Sequence, residues 1–209
     1  TGAYFVNYET LAGGMGARAN RDGVDGVRVH ASGSSNLPVE ALEHAYPFRT
    51  ERYALWDGSA GDGKYHGGMG VLRDYRVLTD GIVVSLSSER QHVAAGGMQG
   101  GGAGARGAFI LNPDTPQEQR LPSAAGEVAL PRGSVLRICT PGGAVPLRSW
   151  HAAAAITSSA MAVRTRPYCT IATSAAFVTP NEAKDGGAVI AAKRSDQPVN
   201  GANRAGGRI

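Results

Sequence analysis

A chain of 209 residues has room for one domain with a sizeable core. Its 30 glycines and 11 prolines make up about a fifth of all positions, against a usual share of about 12%, which excludes a helical bundle; the glycines follow no period of three, which excludes a collagen-like rod. The net charge of +4 sits in the tail, since residues 1–143 hold thirteen Lys and Arg against fourteen Asp and Glu while residues 144–209 hold eight against three, and these dispersed cations with few aromatics argue against a nucleic-acid surface.

In chain order, residues 1–143 alternate short apolar runs with glycine-rich turns, the pattern of an antiparallel β-rich domain. Strands are predicted at Tyr4 to Glu9, Val24 to His30, Thr50 to Trp56, Val71 to Leu78, Ile82 to Ser88, Gly107 to Leu111 and Ser134 to Thr140. One short helix is predicted at Pro38 to Ala45: Pro suits a first turn, Glu40 and Glu43 lie towards the positive end of the dipole, and Pro47 ends it. Val39, Leu42 and Ala45 would face the core. Thr79-Asp80-Gly81 between the fourth and fifth strands predicts a hairpin, because Asp-Gly accepts positive φ. After residue 143 the composition turns Ala- and Thr-rich and basic. The expected fold is therefore α+β, mainly β, with antiparallel strands, glycine-rich turns, few short helices and a poorly ordered C-terminal tail over 144–209. No run approaches the roughly 20 apolar residues of a membrane span, and no leader pattern is present, so a soluble cytoplasmic protein is expected. The first residue, Thr1, suggests a piece of something longer.

Chemistry is sparse. Cys139 and Cys169 are too far apart for a ligand pair and read as small buried apolar residues. Three glycine clusters, beginning at Gly13, Gly67 and Gly96, lack the strand, helix and acidic residue of a dinucleotide fingerprint, and no Gly-Lys-Ser or Gly-Lys-Thr occurs. They serve either close packing or an anion contact, and the first, followed by Arg18, Asn20 and Arg21, is the better ligand candidate. His30 closes a predicted strand before a small polar loop, 31–36, and the helix; it is either a solvated strand-end residue or a proton carrier beside an anion site. Glu9 is the candidate partner carboxylate.

Taken together, Tyr8-Glu9-Thr10 followed by Gly13-Gly14-Met15-Gly16-Ala17 resembles the hydantoinase B/oxoprolinase family. The resemblance continues through Asp22-Gly23, Val29-His30, Asn36 to Glu43, Tyr46-Pro47, Gly58 to Gly61, Gly67 to Gly70 and Ser88-Glu89-Arg90, and stops at Thr140-Pro141-Gly142-Gly143. It departs at 31–37, keeping Asn36 but placing Leu37 where the family has a helix-capping Thr, a cap worth about 1 kcal/mol. The resemblance implies a C-terminal portion of a B-type subunit of an ATP-dependent cyclic-amide hydrolase, of hydantoin or oxoproline type. It implies a hetero-oligomer in which a hydantoinase A-type partner binds ATP, and any divalent metal sits in a more N-terminal region absent here. The site residues it suggests are His30 and Glu9 as catalytic groups and Gly13, Gly14, Gly16 and Asn36 as substrate or anion contacts. The alternatives are a subunit fragment of an ATP-dependent acetone- or acetophenone-type carboxylase and a non-catalytic assembly module. Residues 144–209 carry no resemblance and read as an unrelated extension or a shifted reading frame.

Overall fold

Alternation of buried and exposed side chains builds two sheets with one apolar face each. The computed structural model describes residues 5–28, 33, 35–146 and, for the backbone alone, 173–178; His30 and the tail residues 147–172 and 179–209, including Cys169, lie outside the described residues. Among the described residues the elements are β1 (Val6–Leu11), α1 (Val39–Ala45), β2 (Phe48–Leu55), β3 (Val71–Val77), β4 (Ile82–Ser87), β5 (Ala108–Leu111), β6 (Gln119–Leu121), β7 (Ala124–Leu130), β8 (Val135–Cys139) and β9 (Thr173–Val178). A four-stranded sheet runs β1-β9-β4-β7 and a five-stranded sheet β2-β3-β8-β5-β6, with every pairing antiparallel. Ile82, Val84 and Leu86 of β4 share one buried cluster with Phe48, Tyr75 and Ile138 of the other sheet, so the two sheets face each other. The mainly β expectation holds.

β3 is buried on both faces because it is interior in its sheet and covered on each side. Its outer face adds a small cluster of Leu72, Ala108 and Cys139 under Trp56 and Ile110. Burial pushes the Cys139 thiol up to about 11, so it behaves as the small apolar residue the sequence suggested.

The hairpin predicted at Thr79-Asp80-Gly81 does not form. β3 already pairs with β2 and β8 and has no free edge, so the chain crosses to the opposite sheet to start β4. The turn itself is present, with Gly81 at φ 77°. Residues 24–28 are not a strand either: Gly26 sits at φ 49°, and Val27 makes only an isolated bridge to Gly13. Their polar groups turn to loops, with Asp25 accepting from the Met69 N–H (2.6 Å). α1 begins one residue later than predicted, because Pro38 is its N-cap, with extended ψ 140° and no side-chain cap bond. Leu42 of the helix is buried and Val39 half-buried, while Ala45 is exposed. Glu43 ties the helix to β2 by accepting from the Thr50 N–H (2.8 Å). The tail expectation is modified by β9, which places residues 173–178 between β1 and β4. No helix among the described residues is long and apolar enough to cross a membrane.

Candidate functional site

Period two in β1 turns Asn7, Glu9 and Leu11 inward and leaves Val6 and Tyr8 exposed. The same rule in β3 turns Arg73 and Tyr75 inward. The two strands thus set a carboxylate, a guanidinium and a phenol between the sheets. Arg73, with no exposed surface, donates from Nη1 to Glu9 Oε1 (3.2 Å), and the Tyr75 hydroxyl donates to Glu9 Oε2. The guanidinium also lies between two rings, 4.6 Å from the Tyr53 centroid and 4.7 Å from that of Tyr75. Burial, and after it the charge of Glu9, raise the Tyr75 phenol well above its ordinary value, so it stays protonated and donates.

Hydrogen-bonding capacity is left over. Arg73 Nε and Nη2, Asn7 Nδ2 and Thr50 Oγ1 are buried without a hydrogen-bond partner, and Thr50 lies opposite Tyr75 in the β2–β3 register. These groups share the inner face around Glu9. A buried donor left bare costs about 1–3 kcal/mol, which the faces of the Tyr53 and Tyr75 rings offset in part at the Arg73 guanidinium.

From this buried cluster a polar chain leads outward. The half-exposed Tyr53 accepts at its hydroxyl from Asn36 Nδ2 (2.7 Å), and Asn36 Oδ1 accepts from Arg28 Nη2 (2.6 Å). Arg28 and Asn36 flank His30 in sequence, and Asn36 ties to β2 at Tyr53. Beside Tyr53 an open cavity of about 250 Å³ is lined by Asp25, Gly26, Leu55 and Val71. Glu9 and Asn36, both proposed from the sequence, are therefore linked through Tyr53 and Arg73. His30 lies outside the described residues.

The glycine run is placed elsewhere. The Gly14 N–H donates to Pro141 O (2.9 Å), Met15 N–H to Val24 O (3.0 Å) and Ala17 N–H to Ala144 O (2.9 Å), and Gly13 O accepts from Val27 N–H (3.0 Å). A Cβ on Gly14 would fall on the Gly68 carbonyl oxygen, and one on Gly143 on the Met15 carbonyl oxygen. Around Gly16, Ala144 O would lie 3.3 Å from an added Cβ. The first and second clusters and Gly142-Gly143 thus form a knot of loops in backbone contact, and an anion at the Gly14 N–H would compete with its bond to Pro141 O.

Arg73, Tyr75 and Tyr53 were missed from the sequence, although one signal was available: Arg73 and Tyr75 share the apolar face of the Val71-to-Val77 alternation, where a charge demands a buried partner. A second open cavity, of about 350 Å³, lies over Ser88-Glu89-Arg90, where His92 Nε2 and Ser123 Oγ are 3.2 Å apart and Arg90 adopts φ 60°. Of the other histidines, His66 Nδ1 sits 3.5 Å from the exposed Asp62. Among the described residues no group of three His, Cys, Asp or Glu could hold a metal ion.

Comparison with known proteins gives a family match over residues 1–144, to hydantoinase B/oxoprolinase. Similar relatives include a 5-oxoprolinase of Dictyostelium discoideum, 34% identical over 136 residues, which are 65% of this chain and 11% of that protein. A putative B-type subunit of a D-/L-hydantoinase from a Pseudomonas species is 31% identical over 141 residues, 67% of this chain and 24% of that one. The chain therefore spans about a tenth of the one relative and about a quarter of the other. Among solved structures, nucleotide-free acetone carboxylase, described with ATP-dependent acetone carboxylation, has the same fold over 65% of this chain and 22% of its own, with a TM-score of 0.54 at 19% identity.

Proposed function

This chain belongs to the hydantoinase B/oxoprolinase family, and from that premise we propose that it forms part of a B-type subunit that opens cyclic amides of the hydantoin or oxoproline type, together with an A-type partner that binds ATP. The observation that carries the reading is the Glu9–Arg73–Tyr75 cluster, built on the Tyr8-Glu9-Thr10 motif and joined through Tyr53 to Asn36. Resonance makes a lactam carbonyl a poor electrophile. Transfer of a phosphoryl group from ATP to the amide oxygen supplies a leaving group before water attacks. The Gly14, Gly67, Gly68, Gly142 and Gly143 N–H groups are bonded to carbonyls of the chain itself, which favours a nucleotide held by the partner rather than at these glycines.

In this scheme Glu9 works by position: both its oxygens are engaged, so it fixes Arg73 while the bare Arg73 and Asn7 donors receive a substrate carbonyl or the water that stands in for it. Asn36 and Tyr53 form the polar entrance, and His30, between Arg28 and Asn36 in sequence, is the proton carrier. The test is ATP turnover by the full chain assembled with an A-type subunit and the rest of a B-type subunit, given 5-oxoproline, hydantoins, or acetone with bicarbonate. Lactam-dependent turnover reduced about 100-fold or more by His30→Ala supports the reading. Turnover with ketone and bicarbonate alone would favour the carboxylase alternative, to which the acetone carboxylase fold likeness also points. Lactam turnover unchanged in both His30→Ala and Glu9→Ala, with normal assembly, would leave this chain an assembly module.

A further inference from the structure

Among the described strands, β1 joins its sheet only through β9. Val6–Leu11 pairs over six positions with Thr173–Val178, and that segment pairs in turn with β4 from Val83 to Ser87, while β1 and β4 share no ladder. Without the intervening strand, two rows of main-chain N–H and C=O groups face each other across a gap one strand wide, about 9.5 Å between β1 and β4. β1 has to be held, because Asn7, Glu9 and Leu11 are buried beneath the opposite sheet. The segment that holds it comes from beyond residue 144, where the family match ends. A slot formed by the family-matched part of the chain is thus filled by residues from beyond the match.

We propose that the channel between β1 and β4 is a strand-acceptor site for another part of a B-type polypeptide, which inserts one extended segment antiparallel to both strands. Residues 173–178 occupy it in that segment's place. Recognition is by strand addition: the ladders supply the hydrogen bonds, and the two-residue period selects which side chains face the core. The occupant in this chain, Thr-Ser-Ala-Ala-Phe-Val, shows the chemistry the slot takes, an uncharged segment without proline or glycine. The relatives supply the reservoir from which such a segment comes, since the matched region is 24% of the hydantoinase polypeptide and 11% of the oxoprolinase. The inference rests on family membership and not on the catalytic scheme, so the two can fail separately.

Hydrogen exchange on the full chain tests it. Proline at Ala175, opposite Glu9 on one side and Leu86 on the other, removes an N–H and clashes within an interior strand. Amide protection in β1 should fall about 100-fold or more while β2, β3 and β8 keep theirs. Adding the separately produced remainder of the Pseudomonas hydantoinase polypeptide, lacking the matched segment, should restore β1 protection, and the parent chain should bind that remainder about tenfold or more less tightly because its slot is filled. If Ala175→Pro also strips protection from β2 and β3, Ala175→Gly replaces it and is read in the same way. Unchanged β1 protection overturns the proposal. So does protection that is lost and returns only with a synthetic peptide of residues 171–180, which would make the slot private to this chain's tail, or with neither probe.

Discussion

Arg73 and Asp74 are neighbours in β3, point to opposite faces of one sheet, and anchor ion pairs of opposite character. On the outer face Asp74 takes two bonds from Arg137, at Nε and Nη2, each 2.9 Å, and Arg137 Nη1 reaches Asp114 at 2.9 Å. That pair is bidentate and directly cross-strand in the register. On the inner face Arg73, with no exposed surface, makes one bond to Glu9 and leaves Nε and Nη2 bare between two tyrosine rings. A pair satisfied on all sides fastens strands together. A buried pair with capacity to spare is where a polar guest would gain the most, and this contrast is why the inner face is the site we propose.

The most demanding test of that contrast is to remove one charge from each pair. Arg73→Met leaves the Glu9 carboxylate buried without its counter-charge, with only the Tyr75 hydroxyl on it, and should cost about 3–5 kcal/mol in urea unfolding, whereas Arg73→Met with Glu9→Leu should recover most of that loss, since apolar replacement of a whole buried pair is close to neutral. Single and double variants equally destabilised would show that Glu9 is held by something other than Arg73. Asp74→Ala should cost less, about 1.5–3 kcal/mol, because Arg137 keeps Asp114 and 15% of its side-chain exposure to water. An outer loss exceeding the inner one would reverse the assignment of which pair is structural.

Both pairs show how far the sequence could be read. β3 to β5 and β8 were legible within one residue at each end, because apolar residues there recur with period two. β7 was not: its Ala-Ala-Gly-Glu-Val-Ala-Leu is poor in β-branched residues, and the positive φ of Glu127 lies in the irregular stretch of its ladder with β4. β3 and β4 were wrongly joined as a hairpin because Asp80-Gly81 signals a turn but not which sheet the next strand enters. At the site, Glu9 and Asn36 were visible as motif residues. Their connection was not, because Tyr53 reaches its place beside Arg73 only after a register irregularity between Thr50 and Arg52, which local alternation cannot foresee. The glycine clusters pointed more to packing than to anions, and the close approaches of Gly14 to Gly68 and of Gly143 to Met15 show how tightly the loops are packed.

Alkaline titration separates the two faces in another way. The Tyr75 phenol is raised above its ordinary 10.0 in the folded chain, by burial first and then by Glu9. A group raised on folding gives stability that is fully present below its unfolded pKa and is lost as pH climbs towards the folded one. Unfolding free energy should therefore decline above about pH 10, by up to about 1.4 kcal/mol per pH unit. Tyr75→Phe should remove that part of the slope, and an identical slope in the variant would place the titrating group elsewhere. Cys139 on the outer face, held up to about 11, adds a smaller loss between its unfolded value and pH 11, which Cys139→Ala isolates.

The smallest effect belongs to the rim of the outer network. Asp114 is 75% exposed in its side chain, so its arm to Arg137 gains little against water, and Asp114→Ala should cost only about 0.2–1 kcal/mol, fading in high salt. The inner pair, shielded by both sheets, should keep its full cost at the same salt. Measuring Arg73→Met and Asp114→Ala side by side at low and at about 1 M ionic strength therefore separates buried from solvated electrostatics within one sheet. If salt erased the Arg73 effect as well, the space between the sheets would have to be open to solvent, and the bare donors around Glu9 would be hydrated surface rather than a site waiting for a guest.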